Sequence, residues 1–497
     1  MKEKCFNLIN KYWMYLLWVC SWVFVTKIDF LDISCDKRLV IVTIAAIYVI
    51  LFMKYLMNRT ENFDDGLVQM ILLGSFLLRL VFVMFHPYDF SFHDLGSLVS
   101  GSESMYADGH IGYMQYLYEY GKLPDVDISK VWSFYNPPFF YAIAAIFLKI
   151  NRMFGLDMIT SLENVQMLTM LFATITIQVG YKILKEFDLS RRSITFALMI
   201  LAFHPYFIIG GATLNNDILS ILCMFLAVLY AIRWYKKETY KEIIKLAFAI
   251  GLGMMTKISV GLVAPAVALL FLMKCIKEKS YLHYFKQFVV FGVICIPLGM
   301  YWPIRNMMLY DMPLLFVQEV GAGSGQELNA TILQRLNPFS WLDYGIPCLQ
   351  FKPETEYNIW EMMFKTSMFD ELFINKESSY DLFLGNLLLI VNIVLALASV
   401  VLGIYNDFKK KVKENWMMWF KVTLYVVVMV SYVKFCFNYP LICSMNFRYI
   451  VPTILVGAIN IGVFMNYENR SQLIAGVLEY GCITFSILSA FVYMFVL

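Results

Sequence analysis

The sequence predicts an all-α polytopic membrane protein with about 13 transmembrane helices. Its 497 residues are 60% hydrophobic and only 15% charged, whereas soluble domains are about half apolar and about a quarter charged. Apolar runs of roughly 18 residues or more, the length that crosses a bilayer as a helix, recur along the chain. The expected spans are 8–26, 39–57, 67–86, 164–183, 194–213, 217–235, 243–256, 259–274, 287–303, 382–405, 417–435, 449–466 and 474–496.

The remaining composition excludes several classes of protein. The net charge is only +3 and no basic stripe alternates with aromatic residues, so no nucleic-acid partner is expected. Ten cysteines are scattered without CxxC or Cys/His metal spacing, which favours buried apolar thiols. The first span is followed by TKIDFLD and not by a small-residue cleavage site. We therefore expect it to stay in place as a helix.

The run PPFFYAIAAIFLKIN, residues 137–151, is short for about 30 Å of hydrocarbon. If it does not cross and the N-terminus is cytoplasmic, the inside loops hold 21 Lys and Arg and the short outside loops hold 5. This asymmetry follows the positive-inside rule. The run is therefore expected to be a juxtamembrane or re-entrant helix.

The same topology predicts an organisation with two long outside loops. A two-helix addition covers 1–66, and a transmembrane module covers 67–303, including a first external loop at 87–163. A second external loop covers 304–381, and the C-terminal spans cover 382–497. Both loops carry amphipathic stretches such as GYMQYLYEYGKL, which suit helices in the interface.

Several ionisable residues converge on the outer face in this topology. They are Asp94, Asp108, His110, Asp217, Lys257 and Arg448. Ionisable groups beside hydrocarbon are costly, and by default they mark a functional site.

Four of these residues also have a purely structural interpretation. Asp217 could serve only as the cap at the start of the sixth span. Lys257 could simply extend its ammonium to the lipid headgroups. Arg448 could pair with an acidic residue of a loop. Asp108, in its Ser/Gly-rich loop, could simply be solvated by water. Both interpretations stay open at the level of the sequence.

A lipid-phosphate substrate would unite these residues. Lys and Arg at the headgroup level bind phosphate, and a carboxylate beside an apolar wall can act as general base for an acceptor hydroxyl. The same cations would stabilise the growing charge of a phosphate leaving group. The pattern therefore points to glycosyl or phosphoryl transfer from a lipid carrier.

Seven blocks of sequence resemble the C-type (GT-C) membrane glycosyltransferases, the superfamily of protein O-mannosyltransferases and lipid A aminoarabinose transferases. The blocks are, in order, HDLGS, GHIGYMQYLYEYGKLPD, WSFYNPPFFYAIAA, HPYFIIGGATLNNDIL, GLGMMTKISVGLVAP, CIPLGMYWPIRN and NFRYIVP. The resemblance covers roughly 67–452. The resemblance implies a GT-C-like membrane fold with juxtamembrane helices, a polyprenyl-phosphate sugar donor, and an acidic catalytic base in the first external loop.

Carried onto this chain, the resemblance makes Asp94 the best match for the base and Asp108 its competitor. Residues expected to bind substrate or donor phosphate are His93, His110, Tyr113, Asp217, Lys257 and Arg448. The expected reaction is a direct, inverting displacement at the sugar. No cofactor is required by these residues, although paired acids are compatible with a divalent cation.

The expected protein is thus a multi-pass glycosyltransferase of the cell membrane with an extracytoplasmic active site. Its partners would be the polyprenyl-phosphate sugar, the bilayer and an acceptor that is a wall polymer, glycan, lipid or protein. Two alternatives stay open: a transporter or flippase of a lipid-linked sugar, and a non-catalytic membrane subunit. A transporter would more often show repeated halves and charges at the bilayer midplane.

Overall fold

The computed structural model describes residues 2–26, 43, 47, 63–91, 93–96, 108–318, 324–338, 345–409 and 416–497. Within these ranges the chain is helical and contains no β-strand beyond one isolated bridge. In chain order the α-helices are α1 Lys2–Val25, α2 Phe63–Phe85, α3 Gly109–Tyr120, α4 Phe139–Met153, α5 Met158–Lys185, α6 Arg191–Phe203, α7 Pro205–Ile209, α8 Asp217–Lys237, α9 Tyr240–Met254, α10 Ala264–Glu278, α11 Tyr281–Tyr310, α12 Ile332–Leu336, α13 Ile359–Phe369, α14 Ser379–Lys409, α15 Trp416–Asn438, α16 Pro452–Met465 and α17 Gln472–Phe495.

Eight helices in the described part of the chain are long and apolar enough to cross a membrane. They are Gly66–Phe85, Met158–Lys185, Asp217–Lys237, Ile258–Glu278, Tyr281–Tyr310, Ser379–Phe408, Trp416–Asn438 and Gln472–Phe495. The all-α, multi-span fold class is therefore confirmed. The number of thirteen spans stays a prediction, because the expected span 39–57 lies almost wholly outside the described residues and several others are shorter helices.

The outer helices α11 and α14 expose large apolar side chains along their length. Val293, Ile296, Ile390 and Val401 are all exposed. A soluble protein rarely leaves so much contiguous apolar surface in water, whereas hydrocarbon accepts it. The central helix α8 is instead packed on all sides, against α5 and α9 among others.

The expected span 194–213 is wrong as a single helix, because the structure divides it into α6 and α7. Pro205 has no N–H and keeps His204 out of the helical region, at φ −66° and ψ 125°. Carbonyls at the end of α6 therefore lack helical partners. The fully buried Arg79 reaches the carbonyl oxygen of Ala202 at 3.4 Å, and Ser489 donates to the next carbonyl at 2.6 Å. These side chains supply hydrogen-bond donors to the backbone carbonyls that the break in the helix leaves without partners.

The ambiguous run before residue 151 forms α4, a helix of 15 residues. One face is buried through residues such as Phe140 and Leu148, whereas Ile146 and Met153 on the other face are exposed. Its amide at Phe139 donates to the carbonyl of Met255 at 2.9 Å. An amphipathic helix of this length suits a position along the membrane surface, and its side of the membrane stays a prediction.

The two long loops and the segment before α16 pack together at one end of the bundle. Gln318 in the second loop accepts from the amide of Ser133 in the first loop, at 3.2 Å. Further on, the amide of Leu328 donates to the carbonyl of Pro440 at 2.9 Å. Residues that are far apart in the chain are thereby brought to one face of the protein.

A close backbone crossing fixes the start of α3 against the residues that follow α2. The amide of His110 donates to the carbonyl of Asp94 at 2.9 Å. Gly96 and Gly109 both have positive φ angles, 76° and 70°. A Cβ atom on Gly96 would lie 1.9 Å from the carbonyl oxygen of Asp108. Only glycine permits both the backbone angle and the close approach.

We expect Gly96→Ala to destabilise the protein far more than Gly121→Ala. Gly121 has a similar φ of 62°, but no atom of the described residues would lie within 4 Å of a Cβ added to it. Alanine at position 121 should lower the free energy of unfolding by only about 1–2 kcal/mol, the usual cost of a left-handed backbone angle. Gly96→Ala adds a backbone clash, and overpacking typically adds about 1–3 kcal/mol. Thermal unfolding in detergent measures both variants. Equal losses at the two positions would contradict the crossing.

Candidate active site

Four charged side chains meet at the looped end of the bundle, each brought there by a different element. Asp94 follows α2, and Asp217 is the first residue of α8. Lys257 lies in the turn between α9 and the 3₁₀ helix Ile258–Val263. Arg448 lies in the short 3₁₀ helix that precedes α16. Four of the six residues expected on one face therefore lie close together in the structure.

Arg448 lies at the centre of this cluster. Its Nη2 is 3.9 Å from Oδ2 of Asp94, and its Nη1 is 3.9 Å from Oδ2 of Asp217. Both distances exceed hydrogen-bond length, so the guanidinium is attracted by two carboxylates without being bonded to either. Its Nη2 donates to the hydroxyl of Tyr449 at 3.0 Å, while Nε has no partner among the described residues. Arg448 thus keeps donor capacity that neighbouring side chains do not use.

Asp217 forms an ion pair with Lys257 that closes the inner side of the cluster. The helix begins here because the side chain of Asn215 accepts from the amide of Asp217 at 2.9 Å. Asn216 donates to the carbonyl of Thr256 at 2.8 Å, which ties the turn carrying Lys257 to the start of α8. Asp217 is therefore the first residue of its helix, and its carboxylate also pairs with a cation.

Asp94 lies on the outer side of the cluster and is the more accessible carboxylate. Its side chain is 34% exposed, compared with 6% for Asp217. Trp132 donates from Nε1 to Oδ1 of Asp94 at 3.0 Å. Burial alone would raise the pKa of Asp94, but the charges of Arg448 and the neighbouring histidines, together with the hydrogen bond from Trp132, outweigh it and leave the pKa below its usual value. Asp94 is therefore ionised at neutral pH.

His110, the second residue of α3, is buried beside the cluster. Its Nδ1 lies 2.6 Å from the hydroxyl of Tyr141, and the two rings stack. Burial lowers the pKa of His110 to about 4, so the imidazole is neutral at pH 7. Tyr113 lies one turn further along, stacked on Tyr141 and fully buried. Neither side chain opens to the outside of the protein in this structure.

His93 is enclosed between two carboxylates of the second loop. Its Nε2 is 2.7 Å from Oδ1 of Asp370, and its Nδ1 is 3.0 Å from Oε1 of Glu371. Burial by itself lowers the pKa of His93, but the charges of both acids outweigh it and raise the pKa to about 10. His93 is thus a buried cation whose ring nitrogens both have protein partners. Its expected contact with substrate stays a prediction.

Asp108, the competing candidate for the base, is placed differently. It is exposed and lies at the N-cap position of α3, where its side chain forms no capping hydrogen bond. The backbone crossing presents Asp94 to Arg448 and leaves Asp108 at the protein surface. Its role as a competing base stays a prediction.

Sequence reasoning missed Asp370, Glu371 and Asn446. Asn446 donates to Oδ1 of Asp370 at 2.7 Å, and its own Oδ1 accepts from the amide of Arg448 at 2.8 Å. The only local signal was an adjacent acid pair, FDEL, at the end of an amphipathic stretch. Over the part of the chain that the structure describes, no group of three or more His, Cys, Asp or Glu side chains is arranged to hold a metal ion.

Two solved structures are similar to this chain at low identity. ArnT from Cupriavidus metallidurans in the apo state is 11% identical, with a TM-score of 0.38, over 87% of this chain and 78% of ArnT. The archaeal oligosaccharyltransferase AglB from Archaeoglobus fulgidus, in complex with an inhibitory peptide and a dolichol-phosphate, is 10% identical, with a TM-score of 0.44. That match covers 86% of this chain and 56% of AglB. At TM-scores this low, neither likeness bears on the site or the function.

A comparison with curated proteins found no match. Residues 135–302 match the model of the family described as dolichyl-phosphate-mannose-protein mannosyltransferase. This segment includes Asp217 and Lys257, and its two ends meet where Trp302 donates to the carbonyl of Tyr135 at 2.8 Å. The match confirms the predicted resemblance over residues 135–302, whereas the sequence blocks that contain Asp94 and Arg448 lie outside the matched segment.

Proposed function

We propose that this chain is a membrane glycosyltransferase that transfers a sugar from a polyprenyl-phosphate donor to an acceptor hydroxyl. The observation that carries the proposal is Arg448, which lies between two carboxylates at 3.9 Å and keeps an unpartnered Nε among the described residues. A guanidinium with unused donors is suited to bind phosphate oxygens. The matched family is itself named for a lipid-phosphate sugar donor.

The donor phosphate would bind on the Arg448 side of the cluster. Lys257 adds a second cation, whose ammonium lies 5.5 Å from the centre of the Tyr449 ring. Asp217 holds this ammonium from the inner side. Two cations fixed before the donor arrives stabilise a developing negative charge without reorganising at the moment of reaction.

Asp94 would act as the general base. It is ionised, it is the more exposed of the two carboxylates beside Arg448, and Trp132 fixes one of its oxygens. Its remaining oxygen, Oδ2, lies on the side of Arg448 and is available to an acceptor hydroxyl. A base must come within hydrogen-bond reach of the proton that it removes, and the exposure of Asp94 makes that approach possible.

The proposed reaction is a single displacement. Asp94 takes the proton of the acceptor hydroxyl while the oxygen forms a bond to the anomeric carbon of the sugar. The bond from that carbon to the phosphate oxygen breaks, and its electron pair leaves with polyprenyl phosphate toward Arg448 and Lys257. One displacement inverts the configuration at the anomeric carbon.

Binding of the donor would also make Asp94 a better base. The charge of Arg448 is a main cause of the low pKa of Asp94. A phosphate bound to Arg448 offsets that charge, so the pKa of Asp94 rises toward its ordinary value. A base is more effective when its pKa approaches the working pH, and the effect would appear only with donor present.

The proposed location is the cell membrane, with an extracytoplasmic site and a cytoplasmic N-terminus. The distribution of Lys and Arg among the loops supports this orientation. The donor would come from the bilayer, and the acceptor would be a hydroxyl of a wall polymer, glycan, lipid or protein on the same side.

The experiment that tests the function is release of free polyprenyl phosphate from a panel of polyprenyl-phosphate sugars. The purified protein is supplied with a membrane extract as the source of acceptors. Release that requires both protein and acceptor supports the transferase. Movement of the sugar lipid across liposomes without any release would instead identify a transporter.

In this assay we expect Asp94→Asn to lower turnover by about 10²–10⁴-fold, the usual contribution of a general base. Asp108→Asn is the matched control, because it makes the same change on an exposed residue of the same loop. Its turnover should stay close to that of the wild type. Equal turnover in Asp94→Asn and wild type, at equal expression, would remove Asp94 from the mechanism.

Trp132→Phe should move the acid limb of the turnover–pH profile upward. The wild-type pKa of Asp94 is below its usual value, so the reactive carboxylate is lost only as pH falls through that low range. Removing the hydrogen bond from Trp132 takes away one cause of the lowering, and protonation then begins at a higher pH. The kcat/KM for the donor, measured from pH 8 down to about pH 2, reports the pKa of Asp94 before the donor binds and therefore measures the shift.

Trp360→Phe is the control for this prediction, because Trp360 donates to the carbonyl of Leu336, away from Asp94. Its acid limb should coincide with that of the wild type. An unmoved limb in Trp132→Phe would show that another group sets the acid side of the profile.

A further inference from the structure

The arrangement of His93 is unusual for a structural histidine, because both ring nitrogens face carboxylates. Its Nε2 and Nδ1 lie 2.7 Å and 3.0 Å from oxygens of Asp370 and Glu371. An ionised carboxylate only accepts hydrogen bonds, so both ring nitrogens must donate and the ring must carry a charge. Charge-assisted bonds of this kind are short and directional. They join the first external loop to the second across 277 positions of sequence.

The same contact continues to the phosphate-binding side of the proposed site. Oδ1 of Asp370 accepts from Asn446 at 2.7 Å, and Oδ1 of Asn446 accepts from the amide of Arg448 at 2.8 Å. His93 is covalently next to Asp94. A continuous connection thus leads from Asp94 through His93, Asp370 and Asn446 to Arg448.

This connection joins two residues that do not bond to each other directly. Arg448 and Asp94 are 3.9 Å apart, beyond hydrogen-bond distance. Asp94 and Asp370 also have positive φ angles, 49° and 51°. Non-glycine residues keep such angles only where the surroundings impose them. The bonds on both sides of His93 supply that constraint.

We propose that His93, clamped between Asp370 and Glu371, is a positioning residue that sets the distance between the base Asp94 and the donor-phosphate cation Arg448. The inference rests on the proposed function, because it assigns His93 a role in that reaction. His93 acts through its neighbours and not on the substrate, since its side chain is only 3% exposed. The charged groups that interact with it are Asp370, Glu371, Arg448, Asp94 and Asp217.

Glu371 offers a matched comparison inside the same clamp. It bonds His93 through Oε1, but its Oε2 has no partner among the described residues. It therefore holds the histidine without being part of the connection to Arg448. Asn446 is part of the connection but does not touch His93. Truncating Asn446 breaks the link to Arg448, whereas truncating Glu371 leaves that link in place.

The experiment measures kcat and KM for release of polyprenyl phosphate in His93→Gln, Asn446→Ala and Glu371→Ala. We expect kcat to fall about 100-fold in the first two variants, the usual effect of a misplaced catalytic group. Glu371→Ala should lose much less, and KM for the donor should change little in all three. His283→Gln, on an exposed histidine away from the site, should match the wild type.

A pH profile separates positioning from a purely structural role. His93→Gln removes a positive charge that lowers the pKa of Asp94, so its acid limb should move upward. Thermal unfolding of every variant is recorded, and kcat is compared below the lowest unfolding temperature. Losses of kcat that follow thermal stability alone, with Glu371→Ala as damaged as Asn446→Ala, would overturn the inference. An increase of KM at unchanged kcat would overturn it as well.

Failure of the inference is distinguishable from failure of the proposed function. If the wild type releases no polyprenyl phosphate from any donor, the function itself is wrong. If the wild type is active and His93→Gln and Asn446→Ala keep its kcat and its acid limb, only the role of His93 is wrong.

Discussion

The buried charge of Arg448 is the constraint on which the rest of this site depends. Its side chain is only 10% exposed, and a guanidinium cannot lose its charge to suit its surroundings. Removing such a charge from water is costly unless opposite charges come with it. Asp94 and Asp217 supply them, and Asp217 in turn brings Lys257. This need for opposite charges brings together three parts of the chain: the first loop, α8 and the segment before α16.

The attraction between opposite charges does not by itself explain why Arg448 forms no direct hydrogen bond with Asp94 or Asp217. Arg448 stays 3.9 Å from both carboxylates because other contacts hold its neighbours. The crossing at Gly96 and Gly109 fixes the backbone that carries Asp94, and Asn446 fixes the amide of Arg448. A site kept open in this way has polar groups prepared for a ligand, which is the electrostatic condition for stabilising a transition state.

Two arginines, Arg79 fully buried and Arg448 10% exposed, illustrate how the surroundings decide what such a charge does. Arg79 lies deep in the bundle and contacts a carbonyl and a hydroxyl, where the break before Pro205 leaves backbone groups without helical partners. Arg448 lies at the looped end among carboxylates. The first completes the backbone of a broken helix, and the second forms the centre of an ionic cluster. Hydropathy marks both as exceptional, but it does not tell them apart.

The sequence by itself determined the fold class and the position of most long spans, and it predicted that Asp94, Asp217, Lys257 and Arg448 lie near one another; the side of the membrane on which they lie stays a prediction. These properties are local, because apolar run length and the Lys/Arg content of loops follow directly from the order of residues. The break at Pro205 carried a local signal too, yet the hydropathy of the whole run concealed it. Only the tertiary structure decided that Asp94 and not Asp108 faces Arg448, since the difference depends on a backbone crossing. Only the tertiary structure joined His93 to Asp370, because contacts across 277 positions leave no periodic pattern in a sequence.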